Sequence, residues 1–156
     1  MAYAAGICDV VSAPATWLYA MRRGLDGPAS QRILPERLSK LPLGPVVREG
    51  DDEWFNIVKW VLFALINAEE LGVTSQNADS MLEAKNPAIR RLLGLESDFG
   101  TPLRLDKNWA LNMIHAVGNY SEIYARNFGS QTGVALPRGL NSLWTKGGLL
   151  YAPPIR

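Results

Sequence analysis

Every strand-like segment of this 156-residue chain falls before residue 50, and the rest reads as helix and loop. Residues 7–11 (Ile-Cys-Asp-Val-Val) are rich in β-branched side chains, and 32–34 form a short run before Pro35. Val46 and Val47 follow Leu41-Pro42-Leu43-Gly44-Pro45, which the two prolines keep extended. Three short strands make a poor independent sheet. Such a chain reads as part of something larger.

The helical signals are stronger. Glu49-Gly50-Asp51-Asp52-Glu53 gathers acid where a helix dipole is positive. The spacing then predicts a helix from residue 54 with Trp54, Ile57, Val58, Val61, Leu62, Leu65 and Ile66 on one broad apolar face. Gly72 ends it as a C′ glycine. Residues 54–68 are the most apolar window. They fall short of the roughly 20 residues a membrane span needs, and Asn56, Lys59 and Asn67 interrupt them, so a buried helix is expected. Pro14 suits the first turn of an earlier helix, with Ser12 or Ala13 as cap and an end near Gly24; Asp26-Gly27-Pro28 is a turn. Thr74 or Ser75 is expected to cap a short helix through Leu82. Asn86-Pro87 opens a helix that Gly94 stops. Asp106 is expected to cap a last helix carrying Trp109, Ile114, Val117, Ile123 and Tyr124, with Gly118 midway. That glycine costs stability unless another backbone approaches closely.

Composition narrows the chemistry. The chain is 47% hydrophobic and 20% charged, values of one ordinary globular domain and not of a disordered chain. Sixteen basic and fifteen acidic residues give a net charge of +1, so nothing points to nucleic acid. Cys8 and His115 are the sole cysteine and histidine; no internal disulfide can form, and a Cys/His zinc site cannot be built. Cys8 reads as a buried strand thiol, and His115 as a packing or surface histidine. Asp51, Asp52 and Glu53 read as helix-start charge and not as a metal site, and Glu69-Glu70 as solvated helix surface. Gly147-Gly148 lacks a phosphate-loop fingerprint. Helix periodicity puts most of Trp17, Trp54, Trp60, Trp109 and Trp144 in the core. With no nucleophile–base pair legible, neither an enzyme nor a cofactor is expected. The N-terminus has no Lys or Arg before Arg22, and Asp9 cuts its apolar run short, so no signal peptide is read there.

Several ordered runs carry a resemblance. They are Ile33-Leu-Pro-Glu36; Leu43-Gly-Pro-Val-Val-Arg-Glu-Gly-Asp-Asp-Glu-Trp-Phe-Asn-Ile-Val-Lys-Trp60; Asn67-Ala-Glu-Glu-Leu-Gly72; Val117-Gly-Asn-Tyr-Ser-Glu-Ile123; Arg138-Gly-Leu-Asn-Ser-Leu-Trp-Thr-Lys-Gly-Gly148; and Tyr151-Ala-Pro-Pro-Ile-Arg156. Over residues 4–156 the chain resembles the periplasmic solute-binding proteins of polar amino-acid ABC transporters, and most closely the general L-amino-acid subgroup. The resemblance implies an α/β fold: part of a type II periplasmic-binding-protein fold, helix-rich after residue 50. Residues 1–40 would be the end of lobe two, 41–48 the returning hinge strand, and 49–156 the C-terminal helical part of lobe one. It implies that the family's first half is not represented here. That half holds most of lobe one's sheet and the arginine that binds the ligand's α-carboxylate; Arg22, Arg23 and Arg48 match no motif for that role. A disulfide partner for Cys8 could also lie there.

The same resemblance marks a ligand position. The family follows its Cys-Asp-Val strand with a Thr-Thr-Asp-Ala-Ser-like turn whose aspartate accepts the ligand's α-ammonium. Here the run is Ser12-Ala13-Pro14-Ala15-Thr16, and Pro14 stands at the aspartate position. Proline offers no charge, no side-chain acceptor and no N–H. Losing one partner of a buried charged contact costs about 2–5 kcal/mol. Ser12 and Thr16 remain as candidate ligand contacts, with an L-amino acid as ligand, an ABC permease as partner and a periplasmic location implied by the family. The expectation is a truncated amino-acid-binding protein that binds amino acids weakly or not at all. The alternative is a self-associating structural protein of the same fold, a homo-oligomer by exchange of elements or a chain covered by a partner.

Overall fold

The computed structural model describes residues 1–96 and 98–155. Five α-helices form among them: α1 (Ala15–Arg23), α2 (Asp52–Glu70), α3 (Pro87–Leu92), α4 (Trp109–Val117) and α5 (Tyr120–Phe128). Two compact units are present, one of Met1–Gly44 with Arg126–Pro137, the other of Pro45–Ala125 with Arg138–Arg156. Arg156, the last residue of the C-terminal run quoted above, lies outside the described residues.

The second unit is built on α2. Asp51 caps it, its carboxylate accepting the Trp54 N–H at 3.0 Å, and Asp52 and Glu53 fill the first turn. The helix ends as the sequence predicts. Gly72 takes a φ of 70°, the Gly72 N–H donates to Glu69 O and the Val73 N–H to Ala68 O, which closes a Schellman motif with Val73 buried. α3 repeats the device: the Asn86 side chain accepts the Ala88 N–H, Pro87 opens the helix, and Gly94 closes it with the Leu95 N–H on Arg90 O. Ala64 and Ala68 of α2, Ile89 and Leu92 of α3, Ala110 and Ile114 of α4, with Val73, Leu93 and Ile155, make the core. Full burial of a side chain such as Leu93 or Ile114 contributes about 1.5–3 kcal/mol. A smaller cluster of Ile66, Leu143 and Ala152 covers another side of α2.

The sequence expectations need several corrections. Among the described residues no strand forms; the single pairing is an isolated parallel bridge between Leu143 and Leu150. Residues 7–11, 32–34 and 46–47 are unpaired chain, with Val46 96% exposed. Their β-branched side chains favour extended backbone, but a strand also needs a neighbour for its N–H and C=O groups. None lies alongside. The α/β expectation therefore gives way, within this chain, to helix and loop. Cys8 is exposed and not a buried strand thiol. Trp17, Trp54 and Trp144 are exposed and Trp60 and Trp109 half-buried, so the tryptophans are less of a core than periodicity suggested.

Helix boundaries also shift. Pro14 is the N-cap of α1 and not its first helical residue, and neither Ser12 nor Ala13 caps it. Residues 74–83 form turns and a 3-10 helical turn, Ser80–Glu83, with the Thr74 hydroxyl accepting the Asn77 N–H. The expected continuous helix through Gly118 is two helices. Gly118 adopts φ 77°, ψ −170°, which breaks α4 from α5. Asp106 does not cap α4 with its side chain; Asn108 stands at that N-cap. Among the described residues no helix is long and apolar enough to cross a membrane.

Candidate functional site

Ser12, Pro14 and Thr16 lie together where the extended N-terminal segment enters α1, and all three are exposed. The backbone turns into the helix at Pro14 because proline fixes φ near the helical value, here −52°, while ψ stays extended at 138°. The side chains of Ser12 and Thr16 are open to solvent. A polar hollow of about 360 Å³ in the same unit is lined by Tyr3, Cys8, Asp9, Asp26 and Gln31, not by the predicted ligand residues. The Tyr3 hydroxyl donates to the Gln31 side-chain oxygen across it. A second hollow, about 380 Å³, is bordered by Tyr19, Arg22, Arg23 and Gly133. The Arg22 guanidinium lies 5.0 Å from the Tyr19 ring centroid, and Arg23 donates to Thr132 O at 3.0 Å. Arg48 is exposed on the segment before α2.

Several of the runs that carry the resemblance meet elsewhere, in the second unit. Arg138 donates to Glu69 at 3.0 Å and to the Asn141 carbonyl from both Nε (2.9 Å) and Nη2 (2.7 Å). Its guanidinium lies 5.4 and 5.0 Å from the Tyr120 and Tyr124 ring centroids. The Glu69 side chain is 6% exposed and that of Arg138 22%, so Glu69 is no solvated surface residue. Glu70 fits that reading better, although it accepts the Trp144 indole N–H at 3.2 Å. Asn67 donates to Phe63 O and Pro153 O at 2.9 and 2.8 Å, pinning the C-terminal segment to α2.

The break between α4 and α5 has the same character. The Asn119 carboxamide oxygen accepts the Glu122 N–H, and the Glu122 carboxylate accepts the Asn119 N–H at 2.8 Å, a reciprocal cap. Glu122 also accepts the Ser75 N–H and hydroxyl, while the buried Asn119 donates to Val73 O. One short sequence, Gly118-Asn119-x-x-Glu122, thus ends one helix, starts the next and anchors the loop after α2. Reading Gly118 as mid-helix missed this; Asn followed three residues later by Glu was the available signal.

The other weighed groups have local roles. His115 Nε2 lies 3.2 Å from Asp79 on the surface. Asp51, Asp52 and Glu53 serve the start of α2, and no group of His, Cys, Asp and Glu able to hold a metal occurs among the described residues. The Asp98 carboxyl is displaced. The Thr101 hydroxyl (2.7 Å) and N–H (3.0 Å), with the Gly100 N–H, hold it below the ordinary carboxylate value.

The chain is similar to known proteins. No family model matches the chain. It is 54% identical over 154 residues to the putative amino-acid ABC transporter-binding protein YhdW of Escherichia coli, covering 97% of this chain and 45% of that one. It is 53% identical to the general L-amino acid-binding periplasmic protein AapJ of Rhizobium johnstonii, covering 99% and 46%. Against the glutamate/glutamine/aspartate/asparagine-binding protein BztA of Rhodobacter capsulatus the identity is 49%, over 99% and 46%. This chain is a homologue of amino-acid ABC transporter-binding proteins. It spans a little under half the length of these curated relatives, a share that a C-terminal half fits. Among solved structures, an ABC transporter periplasmic binding protein from Brucella ovis with glutathione bound superposes with a TM-score of 0.89, at 47% identity. The match takes in 99% of this chain and 49% of that one, which supports the partial type II fold. The homology read from the sequence is thus borne out. Asn67, Glu69, Asn119, Glu122 and Arg138, which stand in three of the runs that carry it, tie segments of the second unit together.

Proposed function

We propose that this chain is part of the amino-acid-binding component of an ABC uptake system, acting in the periplasm by binding and not by catalysis. The observation that carries the reading is the 49–54% identity, over nearly the whole chain, to proteins named for amino-acid binding. In this reading residues 1–40 end lobe two, 41–48 are the returning hinge and 49–156 complete lobe one. Ser12 and Thr16 face an L-amino acid, and a transporter permease receives it. Glutathione, the ligand of the Brucella ovis protein, is the γ-glutamyl variant of the same chemistry and belongs in the same screen. Pro14 removes a carboxylate from the ligand's ammonium, so the chain binds weakly by comparison.

The test is a thermal shift against the twenty L-amino acids and glutathione, run on the chain and on Pro14→Asp. Restoring the carboxylate should tighten binding by about 2–5 kcal/mol, roughly thirty-fold or more. Ser12→Ala and Thr16→Ala should then each weaken it. Absence of any shift with either chain would refute the ligand site.

A further inference from the structure

The hollow beside the last turn of α1 has features that the helix alone does not explain. Arg22 and Arg23 end that helix, where its dipole favours positive charge. A single cation meets that need. Here both guanidiniums border one hollow of about 380 Å³. Each is held by a different neighbour. Arg22, half-buried, lies 5.0 Å from the Tyr19 ring centroid, and Arg23 donates to Thr132 O at 3.0 Å. Gly133 makes room for Arg23. It sits at φ 74° with no side chain, and a Cβ there would stand 3.0 Å from both Cζ and Nε of the guanidinium.

Among the described residues neither arginine has a carboxylate partner. The acids of the first unit, Asp9, Asp26 and Glu36, do not line the hollow. A guanidinium carries several N–H donors in a planar fork, and Arg23 spends one of them on Thr132 O. Two unneutralised forks at one concave site match an anion with several acceptor oxygens and more than one charge. We propose that this hollow is an oxyanion site whose ligand is a phosphate dianion, free or carried by a small phosphate monoester. A single carboxylate would satisfy one fork and leave the second cation uncompensated. The site stands at the other end of α1 from Ser12 and Thr16, roughly 10 Å along the helix axis, and is separate from the amino-acid position proposed above.

The test is isothermal titration calorimetry of the purified chain with inorganic phosphate and with glycerol 3-phosphate, at low salt, where exposed charges are least screened. Both probes should bind at a single site. Arg22→Gln and Arg23→Gln should each weaken binding about ten-fold or more, the usual effect of losing a charged hydrogen-bond partner. Their circular dichroism should match the parent's, because neither side chain is buried. Gly133→Ala displaces the Arg23 guanidinium and should weaken binding too, although no charge is lost. Lys40→Gln removes an exposed charge of the same unit outside the hollow and should change nothing. The proposal is overturned if neither probe binds at millimolar concentration. It is equally overturned if Lys40→Gln weakens binding as much as the arginine variants do, since that is diffuse charge attraction, or if acetate binds as tightly as phosphate. Pro14→Asp leaves both arginines in place, so failure of amino-acid binding leaves this result standing, and the reverse holds too.

Discussion

Replacing Arg138 with alanine should be among the most damaging single changes available to the second unit. The Glu69 side chain is 6% exposed, and Arg138 is its partner at 3.0 Å. Removing one member of a buried pair strands the other's charge, at a cost of about 3–5 kcal/mol. Arg138 retains 22% exposure, which lets some water reach the vacated space and sets the expectation near the lower end, about 3 kcal/mol. The two bonds to Asn141 O and the contacts with Tyr120 and Tyr124 disappear as well, so the loss should not fall below that figure. For a domain of this size it amounts to a melting-temperature drop of about 6–12 °C. Urea unfolding followed by circular dichroism would measure it, in a double-mutant cycle with Glu69→Leu and Arg138→Met. Each single change should be severe and the pair much milder than their sum, giving a coupling of at least about 2 kcal/mol. The effect should vary little with salt, since buried pairs are weakly screened. An Arg138→Ala loss below about 1 kcal/mol, or near-perfect additivity in the cycle, would refute the assignment of a buried ionic joint.

Other consequences can be checked in the same way. Gly118→Ala forces a side chain into φ 77° and brings its Cβ within 2.6 Å of Glu122, so it should destabilise by about 1–3 kcal/mol in a denaturant melt. Glu122→Ala removes the reciprocal cap and the Ser75 bonds; about 1–2 kcal/mol should be lost, with faster amide exchange at Asn119 and Ser75. Leu93→Ala, at a fully buried position, should cost about 2–5 kcal/mol. Asp98 has its carboxyl held low by Thr101, so its contribution is present above the ordinary carboxylate value and lost as pH falls through the depressed one. Melting temperatures of the parent and Asp98→Asn should therefore converge in acid and separate toward neutral pH, and Thr101→Val should raise the Asp98 titration midpoint seen by NMR.

The legible parts of the fold were those fixed by local chemistry. Asp51, Gly72, Asn86-Pro87 and Gly94 set helix ends through caps and left-handed turns, and these need only near neighbours in sequence. The strands failed for the opposite reason: residues 7–11 and 46–47 carry the propensity, but pairing is a long-range property. Glu69 was misjudged because helical position alone cannot show that Arg138, sixty-nine residues on, reaches it. Gly118 was misjudged because the apolar spacing of Ile114, Val117 and Ile123 continues smoothly across a real break. For the ligand position, Ser12, Pro14 and Thr16 were placed by resemblance, and the structure puts them at the entrance of α1 and outside both hollows.

The side-chain ties of the second unit have a consequence for reading kinship. Asn67, Glu69, Asn119, Glu122 and Arg138 tie the C-terminal segment and the loop after α2 to the helices, and none of these bonds involves a small molecule. The relatives show the same separation: proteins named for general L-amino acids and for glutamate, glutamine, aspartate and asparagine stand at 53% and 49%, and a glutathione-bound one at 47%. Overall identity along this region is thus nearly the same for relatives whose names point to different small molecules. Cargo is a separate variable, and ranking candidates by overall similarity will not sort it.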